Sequence, residues 1–336
     1  FVSAWMNEGS KEGLYPVVSV TRDAGTDEVY GRAELYTCLP RQVTGRLFEE
    51  DTELTTVMSY FRHDGAPHLF GSRAWPVTPQ LADIVAVRAL YGSAGEVRPG
   101  DSVYGLGGSA EGPLSALSGE GGRAIATLVD TGGHDLIDYA GARESVRLDL
   151  RAGAFSDVAG MADALAIGPE TRIEDATGGE GDDLLCGNAL DNRLSGGPGD
   201  DTLEGGEGDD TLDGGPGDGD MAVFEGGFGG YILRLSGDGM TVRDKRADGT
   251  GRDDLRGVEY LRFGDDVSFG AEGAVRVGAL SGILSLTTEE VAGFVRLYIA
   301  YLDRAPDALG LVFWAERLAE GMGLREIAAH FQAQPE

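Results

Sequence analysis

The sequence predicts a mainly β chain with helical ends, organised around a parallel β-roll. Three observations predict it. A nine-residue glycine and aspartate repeat runs without a gap from Gly178 to Asp213, short apolar runs alternate with polar residues over 221–270, and helical spacing takes over after Thr287.

The repeat reads GGEGDDLLC (178–186), GNALDNRLS (187–195), GGPGDDTLE (196–204) and GGEGDDTLD (205–213), followed by an imperfect unit, GGPGDGDMA (214–222). It matches G-G-x-G-x-D-x-U-x, the nonapeptide of calcium-binding parallel β-rolls. Each position has a physical role. Glycine permits the tight turn and lets carbonyls face inward. The sixth-position Asp supplies a carboxylate. The eighth-position residue (Leu185, Leu194, Leu203, Leu212) points into a narrow core. Two units make one coil, so turns two units apart stack. Asp183 should then approach Asp201, and Asn192 should approach Asp210. Such pairs repel unless a cation lies between them, and Ca²⁺ takes six to eight oxygens from carbonyls and carboxylates. The candidate calcium ligands are therefore Gly179, Gly181, Asp183, Asn188, Asn192, Gly197, Gly199, Asp201, Gly206, Gly208 and Asp210. A flexible Gly/Asp linker is the competing reading, but a linker does not keep an apolar residue at every eighth place. Two departures stand out. Asn188 and Ala189 interrupt the glycines of the second unit, which predicts a weaker site. In the fifth unit Gly219 takes the Asp place and Asp220 is displaced by one, which predicts that the roll ends there.

Composition agrees. The 336 residues carry 57 acids against 27 bases, a net charge of -30, which excludes nucleic acid and anionic membrane as partners. Fifteen of those acids lie between Glu174 and Asp220 with a single base, Arg193, so the charge is concentrated on the repeat. Two cysteines, Cys38 and Cys186, make no disulfide scaffold. No apolar run is long enough to span a bilayer, and the first residues do not read as a signal peptide. A start at Phe1 and an abrupt stop at Pro335-Glu336 read as a fragment.

Beyond the repeat, Ile232, Leu233 and Leu235, then Met240 and Val242, then Val258, Tyr260, Leu261 and Phe263 read as strands that cap the roll and cover its last coil. Thr287 and Glu290 form a capping box. Val291, Phe294, Val295, Tyr298, Ile299 and Leu302 follow at helical spacing until Pro306. Leu311, Val312, Ala315 and Leu318 mark a second helix, and Leu324, Ile327, Ala328 and Phe331 a third, with Trp314 and Tyr298 read as core.

The nonapeptides resemble those of RTX proteins, which bacteria export by type I secretion. Upstream, "TELTTVMSYFRHDGAPHLFGSRAWPVTPQLADIVAVRALYG" (52–92) resembles the segment of serralysins, secreted metzincin zinc proteases, from the Met-turn into the last protease helix. Met58 and Tyr60 match the Met-turn methionine and the tyrosine that can ligate zinc. The helix is expected with Thr78 as N-cap, Pro79 at its first position, Leu81, Ile84, Val85 and Leu90 on one face, and Gly92 as stop. "VRPGDSVYGL" (97–106), "LVDTGGHDLIDYAG" (128–141), "VRLDLRAGAFSDVAG" (146–160) and "IGPETRIEDATGGEGDD" (167–183) continue the match in order. The resemblance implies further calcium ligands at Arg98, Gly100, Ser102, Asp130, Gly132, Gly133, Asp135, Arg172 and Glu174. The segment "YIAYLDRAPDALGLVFWAERLAEGMGLREIAAHFQAQPE" resembles a small helical domain common in RTX exoproteins.

A metzincin zinc site needs H-E-x-x-H-x-x-G-x-x-H on a helix before the Met-turn. "DEVYGRAELYTCLPRQVTG" (27–45) stands roughly where that helix belongs and holds none of its ligands. His63 and His68 lack helical spacing and read as loop residues, which leaves Tyr60 as the single zinc-ligand match and no catalytic residue. The expected organisation is a partial metzincin domain (1–92), a roll (93–220, repeats at 178–222), a β cap (221–280) and a helical module (285–336). The expected function is that of a secreted, extracellular protein that binds several Ca²⁺ ions and folds on them after type I export, without proteolysis. The alternatives are a zinc endopeptidase whose catalytic region is missing or misread, with a protein substrate, and a surface or interaction module.

Overall fold

The computed structural model describes residues 2–3, 14–22, 29–37, 75–93, 95–118, 124–236, 239–246, 249–264, 274–284, 286–306 and 308–332. Cys38, Met58, Tyr60, His63 and His68 lie outside the described residues. The chain divides into two compact units, residues 1–139 with 147–173, and residues 140–146 with 174–336.

In the first unit, Leu14–Arg22 and Val29–Thr37 form an antiparallel pair, with Val2–Ser3 along the Leu14–Arg22 strand. Within the segment in the expected place of a zinc helix, the described residues Val29–Thr37 form a strand, as Val29, Tyr30, Leu35, Tyr36 and Thr37 favour. The helix Leu81–Tyr91 stops at Gly92 as expected, but its N-cap is Gln80, paired with Asp83 in a capping box. Thr78 is otherwise engaged, because its hydroxyl accepts the Thr127 N–H at 2.8 Å. The helix buries none of its residues, and Val85 and Leu90 are about half exposed, so the predicted apolar stripe is no core face. The core of this unit is instead the strand Ala124–Leu128, buried throughout. It runs parallel to both Trp75–Pro76 and the end of Met161–Ile167, and Met161–Ile167 in turn pairs antiparallel with Phe155–Val158.

The second unit holds the roll. On one side the strands Asp175–Thr177, Arg193–Ser195, Thr211–Asp213 and Arg252–Arg256 stack in parallel. On the other, Leu184–Cys186, Thr202–Glu204, Met221–Phe224 and Tyr260–Phe263 do the same. Partners such as Leu184 with Thr202, and Arg193 with Thr211, give the coil its length of two nonapeptides. The middle residue of each strand faces inward. Leu185, Leu194, Leu203 and Leu212 are wholly buried, and Ala222, Leu255 and Leu261 extend the two columns.

The roll does not end at Asp220. Thr202 pairs with Met221, a coil one residue longer than the rest, and the extra residue is absorbed in the turn so that Asp220 regains the buried place. The segment expected to be a cap therefore splits. Arg252–Arg256 and Tyr260–Phe263 are further coils. Among the described residues the antiparallel hairpin Tyr231–Ser236 and Gly239–Asp244, which lies against Arg252–Arg256, and the short strand Val275–Arg276, antiparallel to Tyr260–Phe263, depart from the stack. Phe263 packs against Phe224, Phe228 and Tyr231 at ring separations of 5.1–5.2 Å.

A helix not anticipated from the sequence, Val277–Leu284, follows. Then come Thr288–Leu302, Ala308–Ala319 and Leu324–Gln332. The capping box stands as expected: Glu290 accepts the Thr287 N–H at 2.8 Å, and the Thr287 hydroxyl accepts the Glu290 N–H at 3.3 Å. Phe294, Tyr298, Trp314, Ile327 and Phe331 form one buried cluster, which confirms the core reading of Trp314 and Tyr298, whereas Ile299 is half exposed. Because Phe331 meets Tyr298 and Trp314 edge-on, Phe331→Ala should cost about 3–5 kcal/mol. Thr287→Ala should cost about 1 kcal/mol. Chemical denaturation followed by helical circular dichroism ranks the two, and equal losses would contradict this core.

Candidate metal centre

Along each side of the roll the sixth-position acids form a ladder. The Asp183 N–H donates to Asp201 Oδ1 at 2.8 Å, and the Asp201 N–H donates to Asp220 Oδ1 at 2.8 Å. The Asp220 N–H donates in turn to Glu259 Oε2 at 3.1 Å. On the other side the Asn192 N–H donates to Asp210 Oδ1 at 2.8 Å, and the Asp210 N–H to Asp253 Oδ1 at 3.1 Å. The ladder starts at Val146, whose N–H donates to Asp183 Oδ1 at 2.7 Å. The expected approaches of Asp183 to Asp201 and of Asn192 to Asp210 are both present.

Each carboxylate spends one oxygen on the neighbouring coil. In Asp183, Asp201, Asp210 and Asp220 the second lies against a glycine of its own turn. Asp201, Asp210 and Asp220 are essentially buried, and the Oδ2 atom of each has no hydrogen-bond partner. Burial, together with neighbouring carboxylates, pushes Asp201 up to about 7 and Asp210 and Asp220 up to about 6. Asp183 is raised for the same first reason, burial. Burying an ionised oxygen without a partner is costly, and a cation is the natural complement.

The glycines create the space. A Cβ on Gly196 would lie 2.2 Å from Asp201 Oδ2, so the first glycine of the unit leaves room for the carboxylate. Gly199, at φ +138°, sits over the Gly181 carbonyl, which a Cβ would meet at 2.5 Å. In the second unit the carbonyls of Asn188 and Leu190 occupy the equivalent places beneath Gly206 and Gly208. Asn192 keeps the turn by accepting the Asn188 N–H at 2.7 Å and donating to the Glu174 carbonyl at 2.9 Å. The interrupted glycines thus remove no carbonyl; the one negative charge missing from this unit is lost at Asn192, in the sixth place.

In the first unit the residues singled out from the sequence also converge. Asp130 and Asp135 are fully buried. Asp135 Oδ1 accepts the Ser102 N–H at 2.8 Å. Asp130 Oδ2 accepts from the Tyr104 and Ser102 hydroxyls, and Asp130 Oδ1 from the Gly132 N–H at 3.3 Å. The Ser102 hydroxyl also donates to the Gly100 carbonyl, Gly133 lies against Gly100, and the Arg172 N–H donates to the Asp130 carbonyl. Arg98 takes a positive φ of 51° and donates to the Val129 carbonyl. Glu174 belongs to the roll unit, where its carbonyl accepts from the Asn192 side chain at 2.9 Å. Among the described residues no three His, Cys, Asp or Glu side chains converge into a single metal-holding group. A cation would draw on main-chain carbonyls as much as on carboxylates. Every available donor named is oxygen, which fits a hard divalent ion.

Sequence reading missed Asp220, Asp253 and Glu259. The signal was present as an acid two residues before an apolar residue: Asp220 with Ala222, Asp253 with Leu255, Glu259 with Leu261. The glycines that make the pattern conspicuous are fewer before Asp253 and Glu259, and before Asp220 they are shifted by one residue.

Residues 93–253 match the family model described as Peptidase M10 serralysin C terminal. The metalloprotease AprA of Pseudomonas entomophila (strain L48) is 37% identical over 148 residues, 43% of this chain and 30% of its own. The serralysin of Photorhabdus luminescens is 36% identical over 153 residues, 46% of this chain and 31% of its own. Serralysin C of Dickeya chrysanthemi is 38% identical over 138 residues, 41% and 29% of the two chains. The similarity thus spans about 30% of the length of these curated relatives. The chain carries a serralysin-type C-terminal region.

Since Gly196 has no room for a methyl group, Gly196→Ala should lower the stability of the roll by about 1–3 kcal/mol through overpacking. Gly227→Ala, where a Cβ meets nothing within 4 Å, should be close to neutral. Thermal unfolding of the two variants compares them, and a neutral Gly196→Ala would refute the packing of Asp201 under that turn.

Proposed function

We propose that this chain is a secreted, extracellular calcium-binding protein of serralysin-like architecture, in which Ca²⁺ between stacked turns completes the folding of the roll after type I export. One observation carries the reading: the buried Oδ2 atoms of Asp201, Asp210 and Asp220 lack a partner beneath turns lined with carbonyls. Gly179, Gly181 and Asp183 would share ions with Gly197, Gly199 and Asp201. Asn188 and Asn192 would do so with Gly206, Gly208 and Asp210. Asp130 and Asp135 with Arg98, Gly100, Ser102, Gly132 and Gly133 would hold another, and Arg172 in that unit and Glu174 in the roll unit would each add a carbonyl. Calcium supplies positive charge where the fold concentrates negative charge. In calcium-poor cytosol the acids repel and the segment stays unfolded and exportable; at extracellular, millimolar calcium it folds.

Chelation should therefore abolish the β signal of residues 178–220 while leaving the helices after Thr287 largely intact. Far-ultraviolet circular dichroism with and without EGTA measures this, and an unchanged β signal would refute the reading. Asp201→Ala should raise the calcium concentration needed for folding far more than Asp218→Ala, because Asp201 is buried in the ladder and Asp218 is exposed.

Proteolysis by this chain is not part of the proposal. The Pseudomonas entomophila relative carries the name metalloprotease, yet these 336 residues contain no H-E-x-x-H, and three protein ligands plus water are the usual catalytic zinc set. Tyr60 alone does not make such a set. Metal analysis of the purified chain should find calcium and no stoichiometric zinc; zinc at one per chain, with casein cleavage lost in a Tyr60→Phe, His63→Ala double variant, would establish a rearranged active site.

A further inference from the structure

The sheet on one side of the roll ends on the strand Tyr231–Ser236, which pairs with Gly239–Asp244 and, among the described residues, has no strand on its other side. Alternate residues of such an edge turn their N–H and C=O outward. Among the described residues no backbone hydrogen bond reaches that outer side over 232–235.

The register decides which side chains face solvent beside this edge. Ile232 lies opposite Arg243, and Arg234 opposite Thr241. Arg243 lies in turn opposite Arg252, and Thr241 opposite Asp254. Directly opposite residues share a face of the sheet. The other face points inward, and its Met240 and Val242 are buried. Arg234, Arg243 and Arg252 therefore stand exposed on three neighbouring strands. Like charges directly opposite each other are destabilising, and the pair Arg243 and Arg252 is only half compensated. Asp254 is spent on its neighbours: it accepts from Arg252 at 2.7 and 3.0 Å and from the Thr241 hydroxyl at 2.9 Å. Among the described residues no carboxylate pairs with Arg234 or Arg243. In a chain of net charge -30 acids are abundant, yet these two guanidinium groups are left without one.

We propose that this edge takes an extended acidic peptide of a partner protein as one more antiparallel strand. Its main chain would pair with the outward groups of Tyr231–Ser236, and its carboxylates would lie against Arg234 and Arg243. The open edge and the unpaired arginines are independent features that one ligand satisfies together: main-chain bonds supply affinity, and alternate side chains supply selectivity. Neighbouring strands lie about 4.8 Å apart, so an acid opposite Arg234 is beside it, and the long side chain of Arg243 reaches outward from the next strand. A planar guanidinium suits a carboxylate in two-point contact. Ile232, 36% exposed, adds an apolar contact between them. A second copy of this chain is the wrong occupant. Joined through the same strand, it would set its own arginine face alongside Arg234, and edge charges of this kind suppress self-pairing. None of the candidate calcium ligands takes part, so the site is independent of the calcium reading.

The test uses the whole protein in saturating calcium and a fluorescein-labelled nine-residue peptide of alternating glutamate and threonine, followed by fluorescence anisotropy. The expected result is saturable binding that weakens about tenfold in an Arg234→Gln, Arg243→Gln double variant. It should be unchanged in Arg262→Gln, an exposed arginine of the opposite sheet. Circular dichroism verifies that the variants keep the fold. A peptide with proline in place of threonine, which lacks those main-chain donors, should not bind. No binding of the glutamate peptide, equal binding by the double variant, or equal binding of a lysine and threonine peptide overturns the site. Equal binding of the proline peptide overturns strand addition and leaves a contact of charges alone. A dimer of the protein in sedimentation that the glutamate peptide dissociates overturns it in favour of a second copy at the same edge.

Discussion

The roll depends on one hydrogen bond repeated along its two sides, an acidic side chain accepting the backbone N–H of the equivalent residue one coil earlier. This bond sets the register. It joins coils at the turns, where strand pairing has stopped and backbone donors would otherwise be buried without partners. It also fixes the carboxylate in one orientation, so the second oxygen has nowhere to go but under the turn. Asp183, Asp201 and Asp220 show the pattern on one side, Asp210 and Asp253 on the other. The same contact that orders the backbone also creates the electrostatic problem that the proposed cation would answer.

The apolar contribution is small by design of the sequence. The strands turn a middle residue inward, and the strand-to-strand columns of Leu185, Leu203, Ala222 and Leu261, and of Ala176, Leu194, Leu212 and Leu255, line the core of the roll. A column one side chain wide buries little area per ordered residue, while every glycine in the turns raises the entropy lost on folding. Apolar burial alone therefore contributes little to holding such a segment folded. The terminal helices follow another rule. Phe294, Tyr298, Trp314, Ile327 and Phe331 bring aromatic area into one cluster and owe nothing to the acids.

How much of this was legible in the sequence follows from how each element is encoded. The repeats were legible because each position in them has one physical duty, so period, coil length, ladder partners and inward leucines could all be read. The capping box at Thr287 and the helical core were legible because they depend on neighbours three and four residues apart. The continuation of the roll through Asp253 and Glu259 was not. There the acid and the apolar residue keep their spacing, but the glycines are replaced and a hairpin separates the coils, so the contact joining Asp210 to Asp253 spans 43 residues. The N-cap at Gln80 escaped because Thr78, the better local candidate, is taken by the Thr127 N–H, a tertiary partner. The half-exposed apolar stripe of Leu81–Tyr91 shows the same limit: periodicity marks a face but not what covers it.

The reversal of strand direction at Gly239–Asp244 and at Val275–Arg276 has a consequence for assembly. A stack of identical parallel coils is a template, and its last rung offers the next coil's hydrogen-bonding pattern to any other copy that carries the same repeat. Left open, it would grow end to end as a filament does. Both columns instead finish on an antiparallel strand, whose donors and acceptors are spaced for a different partner. The chain thereby encodes a stop signal for its own polymerisation, written in strand polarity rather than in charge.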